Sequence, residues 1–143
     1  MQTKNQVLLI GLVDSDPKVG EFTGKGGKTG VRASFDLITG NIDEFFKDTS
    51  KKFLIEKHKI VAWDDMARWV GESVRRGSGL NIEGSIRTRY WKDTEGNGRW
   101  ITEITAGSIT QTSHQIPVKE KESDAISMDG NPGNKDIVDN VPF

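Results

Sequence analysis

Apolar residues in this sequence come in short runs that alternate or stop within a few positions, and only one stretch has the spacing of a helix. Val7-Leu8-Leu9-Ile10-Gly11-Leu12-Val13, ended by Asp14-Ser15-Asp16-Pro17, is too short for a typical helix and long enough for a buried strand, which predicts a first strand over 6–13. Val31, Ala33, Phe35 and Leu37 alternate with Arg32, Ser34 and Asp36, so a second strand has one dry and one wet face. Gly24-Lys25-Gly26-Gly27-Lys28-Thr29-Gly30 reads as a flexible basic turn between these two. Further strands are expected at 53–63, 80–92 and 99–110, the last two joined by the turn residues Asp93-Thr94-Glu95-Gly96-Asn97-Gly98. The exception lies between the third and fourth strands. There Asp64 can cap a helix over 65–76 that places Met66, Trp69, Val70 and Val74 on one face and ends at Gly77-Ser78-Gly79.

Five strands with one short helix between the third and fourth is the order of an all-β OB-fold barrel. Composition sets the limits of that body. A chain of 143 residues with 34% hydrophobic residues supports one core at most. Residues 1–110 carry 17 basic against 15 acidic groups, whereas 111–143 carry 3 against 6 and lose all regular apolar spacing. The predicted division is therefore an OB-fold domain over 1–110 and a disordered acidic tail over 111–143. The chain has no Cys, and its two histidines are His58 and His114, which leaves nothing for a disulfide scaffold, a thiol nucleophile or a zinc site. No apolar run approaches the roughly 20 residues needed to span a bilayer, and the first residues have no signal-peptide pattern, so the expected location is cytoplasmic and no membrane partner is expected.

Two rows of side chains carry the functional reading. In the fourth strand Arg87, Arg89 and Trp91 share one parity, with Ile82, Ile86 and Tyr90 on the other. In the third, Lys57, Lys59 and Trp63 share one parity, with His58, Ile60 and Ala62 opposite. If the rows are adjacent, cations alternate with flat rings on one surface. That is what an unpaired nucleic-acid strand requires, since phosphates seek Lys or Arg and exposed bases stack on aromatic faces, at about 1–3 kcal/mol per base. The competing reading is that Trp63 and Trp91 are barrel core and the cations a solvated rim. Trp69, on the helix stripe, is assigned to the core. Trp100 is expected across the hairpin from Trp91 with its parity open, as either a further stacking ring or a packing pair, and it is not counted among the site residues.

Enzymatic readings find no constellation. The Gly24–Thr29 stretch has Phe22 where a phosphate-binding P-loop needs Gly, and no helix pattern follows it. Asp14 with Asp16 sits in a turn before Pro17, and Asp64 with Asp65 opens a helix, where acids are favoured by the cap and the dipole. His58 has no nucleophile beside it, and a barrel or subunit contact is the expected role. The sequence thus predicts a protein that is not an enzyme and has no cofactor or metal.

Asn5-Gln6-Val7-Leu8-Leu9-Ile10-Gly11 followed by Asp16-Pro17, then His58-Lys59-Ile60-Val61, Arg76-Gly77-Ser78 and above all Ile82-Glu83-Gly84-Ser85-Ile86-Arg87-Thr88-Arg89-Tyr90-Trp91 resemble the bacterial single-stranded DNA-binding proteins. The resemblance spans nearly the whole body. It implies a homotetrameric OB-fold protein that coats single-stranded DNA in replication, recombination and repair, associated with the nucleoid, with Trp63 and Trp91 at stacking positions and Lys57, Lys59, Arg87, Arg89 and Lys92 on phosphates. Lys57 stands where the family usually has a Trp, and Phe45 or Phe46 is the substitute for a further stacking Trp that follows the second strand. His58 is placed at the oligomer interface. The terminal Asp136, Asp139, Pro142 and Phe143 are similar to the acidic tip by which the family recruits replication and repair proteins, an end-capture mode in which a carboxylate and an apolar side chain enter one pocket. Two other readings remain open: an RNA-preferring or primosome-type module, and an adaptor whose main ligand is the protein bound by the tail.

Overall fold

The computed structural model describes residues 1–112, and its sheet closes on itself. The strands are β1 (Val7–Val13), β2 (Lys18–Thr23), β3 (Thr29–Gly40), β4 (Ile55–Trp63), β5 (Gly79–Lys92) and β6 (Gly98–Gln111), with helices α1 (Ile42–Lys47) and α2 (Asp64–Ser73). Around the ring the order is β1-β5-β6-β4-β3, and β3 returns to β1 through Leu12↔Ile38 and Val13↔Leu37. A parallel ladder, Ile60↔Ile104 and Val61↔Thr105, joins β4 to β6, and the other ring pairs are antiparallel. This five-stranded ring with α2 between β4 and β5 is the expected OB-fold.

Alternation in a closed sheet sends every second side chain inward. Val13, Ala33, Phe35, Leu37, Ile60, Ala62, Leu80 and Ile82 fill the interior, and Ala67 and Val70 of α2 join the same cluster. Trp69 is partly buried against it, as the helix stripe predicts. A second cluster of Leu12, Ile38, Ile42, Phe45 and Ile55 lies at the β1–β3 seam and includes α1 residues. Here the Leu12↔Ile38 pair has the parity opposite to the inward Val13↔Leu37 pair.

Several expectations are corrected. A sixth strand, β2, pairs with β3 alone, so the Gly24–Gly30 turn closes a β2–β3 hairpin rather than linking the first two strands of the ring. All six β2 residues are exposed, and a strand without a buried face leaves no apolar period to read. The 53–63 strand starts at Ile55, after a 3₁₀ turn over Lys52–Leu54. Helix α1 was not anticipated; its signal is Asn41, whose Oδ1 accepts from the Glu44 N–H at 3.2 Å. Helix α2 ends at Ser73, three residues early, with Val74 extended but still buried. Asp64 does not cap it. The residue has φ 56°, in the left-handed region that Asp tolerates, and its Oδ1 accepts from the Val31 N–H at 3.3 Å, tying the β4–α2 corner to β3. Strand β6 continues to Gln111, the Thr112 N–H still bonds the Gly79 carbonyl, and the expected tail from residue 113 on lies outside the described residues.

At Gly84 the β5–β6 register shifts, and an added Cβ would meet the Thr105 carbonyl oxygen. Thr105 is also one of the two β6 residues paired with β4. Gly84→Ala therefore pushes apart strands at the ring's closure and should cost about 1–3 kcal/mol, read as a lower denaturation midpoint with an unchanged slope.

Candidate nucleic-acid interface

The outer face of the barrel is set by register. Trp63, the last residue of β4, pairs with Arg32 of β3. On β5 and β6 the same face carries Arg87↔Glu103, Arg89↔Ile101 and Trp91↔Arg99. Strand β6 lies between the two predicted rows, so they are not adjacent as expected; they are joined across β6 by Glu103. This carboxylate is 5% exposed, with Arg89 Nε at 2.9 Å from Oε1 and Arg32 Nη2 at 3.6 Å from Oε2. Among the described residues Oε2 is buried with no hydrogen-bond partner, and the Arg32 guanidinium is the cation set against it. The Arg32 guanidinium lies 5.8 Å from the centroid of the Trp63 ring.

Trp63 is thus fixed by two neighbours. Phe22 of β2 meets it edge-on at 5.2 Å and 81°, and Phe22 has room because Gly30, its pairing partner, has no side chain. Trp63 and Trp91 nevertheless remain 40% exposed each, which is more than a core Trp shows and enough to offer a ring face. The competing reading, that both rings are barrel core, does not fit that exposure.

Other predicted residues fall as follows. Lys59 lies on the Trp63 face of β4, opposite Asp36. Lys57 shares that parity, but its Nζ is 3.0 Å from Asp14 Oδ2, and this hydrogen-bonded ion pair raises its pKa above the ordinary lysine value. Lys92 is exposed on the opposite face of the ribbon from Trp91, on the parity of Tyr90. Phe45 is 9% exposed within the second core cluster, so its ring offers little surface to a base, while Phe46 is half-buried beside it at a centroid distance of 5.7 Å. His58 is half-buried, its Nε2 2.9 Å from Thr39 Oγ1. Trp100 pairs with Tyr90 rather than Trp91, because the hairpin register is Lys92↔Gly98 around a five-residue turn, 93–97. The tip residues Asp136, Asp139, Pro142 and Phe143 lie outside the described residues.

Sequence reasoning missed Phe22, Arg32 and Glu103. Glu103 sits between Thr102 and Ile104, where a lone acid reads as a wet position. The acid pairs weighed for catalysis all have structural partners: Asp16 Oδ1 accepts from the Arg76 N–H at 2.7 Å, and Asp65 pairs with Arg68 at 2.7 Å.

A matching family profile and two relatives show what the chain as a whole is similar to. The profile of the single-strand binding protein family matches residues 4–112. The chain belongs to the single-strand binding protein family. "Single-stranded DNA-binding protein 1" of Xylella fastidiosa (strain 9a5c) is 36% identical over 107 residues, covering 74% of this chain and 75% of that protein. A solved Plasmodium falciparum SSB complex with ssDNA is similar with a TM-score of 0.58 and 26% identity, covering 79% of this chain and 98% of the other. The family is one of binding proteins rather than enzymes.

Two outcomes follow from the site's electrostatics. Arg89→Ala leaves Glu103 buried beside a single, longer ion pair and should destabilise the fold by about 1–3 kcal/mol, most of which Arg89→Ala combined with Glu103→Gln recovers, as measured by denaturation midpoints. At the ribbon's tip, the Asn97 backbone N–H on Asp93, helped by Arg99 and the Glu95 N–H, holds that carboxyl below its ordinary pKa. A depressed carboxylate stabilises above its unfolded pKa and loses that contribution as pH falls through the folded one. The turn should therefore loosen only below the usual carboxylate range, seen as faster exchange of the Asn97 amide in acid, and Asp93→Asn should remove the pH dependence.

Proposed function

We propose that this protein binds single-stranded DNA with little sequence preference, stacking bases on Trp63 and Trp91 and holding phosphates with Lys59, Arg87 and Arg89. The observation that carries the reading is the pair of half-exposed tryptophans on one outer face, linked by Arg32, Glu103 and Arg89. Stacking accepts any base because every base has a π-face, whereas a duplex hides those faces. Lys57, ion-paired with Asp14, and Lys92, on the opposite face of the β5–β6 hairpin, are further cations for phosphates, and Phe46, more exposed than Phe45, is the better placed of the two α1 rings to extend the track.

The body's charge over residues 1–110 is only slightly positive, so long-range attraction is modest and affinity depends on stacking and on several copies acting together. Family membership favours a homotetramer. The outer face of β1, where Leu8 and Ile10 are each 67% exposed, is the apolar surface suited to it, with His58 a further contact. Coating of exposed strands in replication, recombination and repair, within the nucleoid, is the role that suits this chemistry. Recruitment of partner proteins falls to Asp136, Asp139, Pro142 and Phe143.

Titration with oligothymidylate should quench tryptophan fluorescence strongly, and an equal-length duplex should not. Trp63→Ala and Trp91→Ala should each weaken binding about 5- to 100-fold. The logarithm of the association constant should fall with the logarithm of salt concentration by about 0.7 for each phosphate contacted. Tighter binding of an RNA of the same length would favour the RNA-preferring reading, and unchanged binding by both variants would favour the adaptor.

A further inference from the structure

Beyond the barrel, β5 and β6 continue as a two-stranded ribbon whose second face carries, of the residues given DNA contacts above, only Lys92. Along it Thr88, Tyr90 and Lys92 oppose Thr102, Trp100 and Gly98. The Tyr90 and Trp100 rings lie 5.0 Å apart at 60°, and Trp100 is 72% exposed. Gly98 provides the seat: an added Cβ there would sit 2.5 Å from Tyr90 Cζ, so the tyrosine ring lies over the space a side chain would fill. Thr88 and Thr102 hold the base of this face through a 2.9 Å hydroxyl contact. None of these six residues is acidic, and Lys92 is the one charge among them.

So large an exposed ring contributes little to the barrel and calls for an occupant. An aromatic side chain buries about 150–250 Å², so two rings fall short of the roughly 800 Å² per partner that a stable protein contact needs. A nucleobase needs only a ring-sized platform, and its phosphate needs a cation such as Lys92. We propose that Trp100 and Tyr90, with Lys92, form a second base-stacking station on the back of the ribbon, so that a strand seated on Trp91 continues around the tip. The inference rests on the single-stranded DNA reading, and it adds a site on the face opposite Trp91.

The test compares the full chain with its Trp100→Ala, Trp100→Leu and Trp91→Ala variants, using oligothymidylates of about 5 and about 16 nucleotides, near the limits for one OB-fold. Trp100→Ala is expected to keep the affinity for the short oligomer and to lose about tenfold for the long one. Trp100→Leu, which retains apolar bulk against Tyr90 but offers no ring, is expected to lose as much. Wild-type affinity of either Trp100 variant for the long oligomer, while Trp91→Ala is impaired, would overturn the second station and leave the front face standing. No effect of Trp91→Ala on either oligomer would defeat the single-stranded DNA reading and this proposal with it. A changed sedimentation coefficient of Trp100→Ala without DNA would assign the rings to self-association and overturn it too.

Discussion

Closure of the sheet rests on two short ladders, Leu12↔Ile38 with Val13↔Leu37 on one side and Ile60↔Ile104 with Val61↔Thr105 on the other. Everything on the outer surface follows from them. Once the ring is closed, Ile60 and Ala62 must point inward, and Trp63 and Lys59 outward. The parallel β4–β6 ladder then brings Glu103 beside the β3–β4 surface, within reach of Arg32, although 71 residues separate the two in sequence.

Glu103 shows why this surface is shaped rather than merely charged. Burying a lone carboxylate costs several kcal/mol, and here two guanidinium groups offset the cost. The return is geometric. Arg32 is drawn over the Trp63 ring and Arg89 is held beside Arg87, so side chains that would otherwise sample many rotamers start near one arrangement. Net charge across Arg32, Glu103 and Arg89 is only +1, which exchanges some attraction for order.

The elements legible in the sequence are those with a buried face. The Val31–Leu37 alternation and the Met66, Trp69, Val70 stripe exist because one side of each element is excluded from water. Strand β2 has no such side and left no trace beyond its flanking turns, while α1 is too short for periodicity and is marked only by Asn41 and Glu44. The interface was half legible. Trp63, Lys59, Arg87, Arg89 and Trp91 could be assigned to faces by local alternation, but which strand lies beside which is a non-local matter. Hence β6 was not foreseen between the two rows, and Arg32 and Glu103 were passed over. The Tyr90↔Trp100 pairing depends on the length of the 93–97 turn, a single-residue question that composition cannot answer.

From Arg87↔Glu103 to Lys92↔Gly98 each strand of the β5–β6 ribbon is paired only with the other, since the β1 ladder ends at Gly84 and the β4 ladder at Ile104 and Thr105. Beyond the buried Glu103 the ribbon has no face packed on the barrel, and a two-stranded ribbon is marginal by itself, so its outer part opens at a free energy below that of the ring. A ligand gripped there is gripped by a compliant element. Some of its binding energy goes into stiffening the ribbon, and its escape can begin with the ribbon's bending while the barrel stays intact, which favours rapid turnover over a permanent hold.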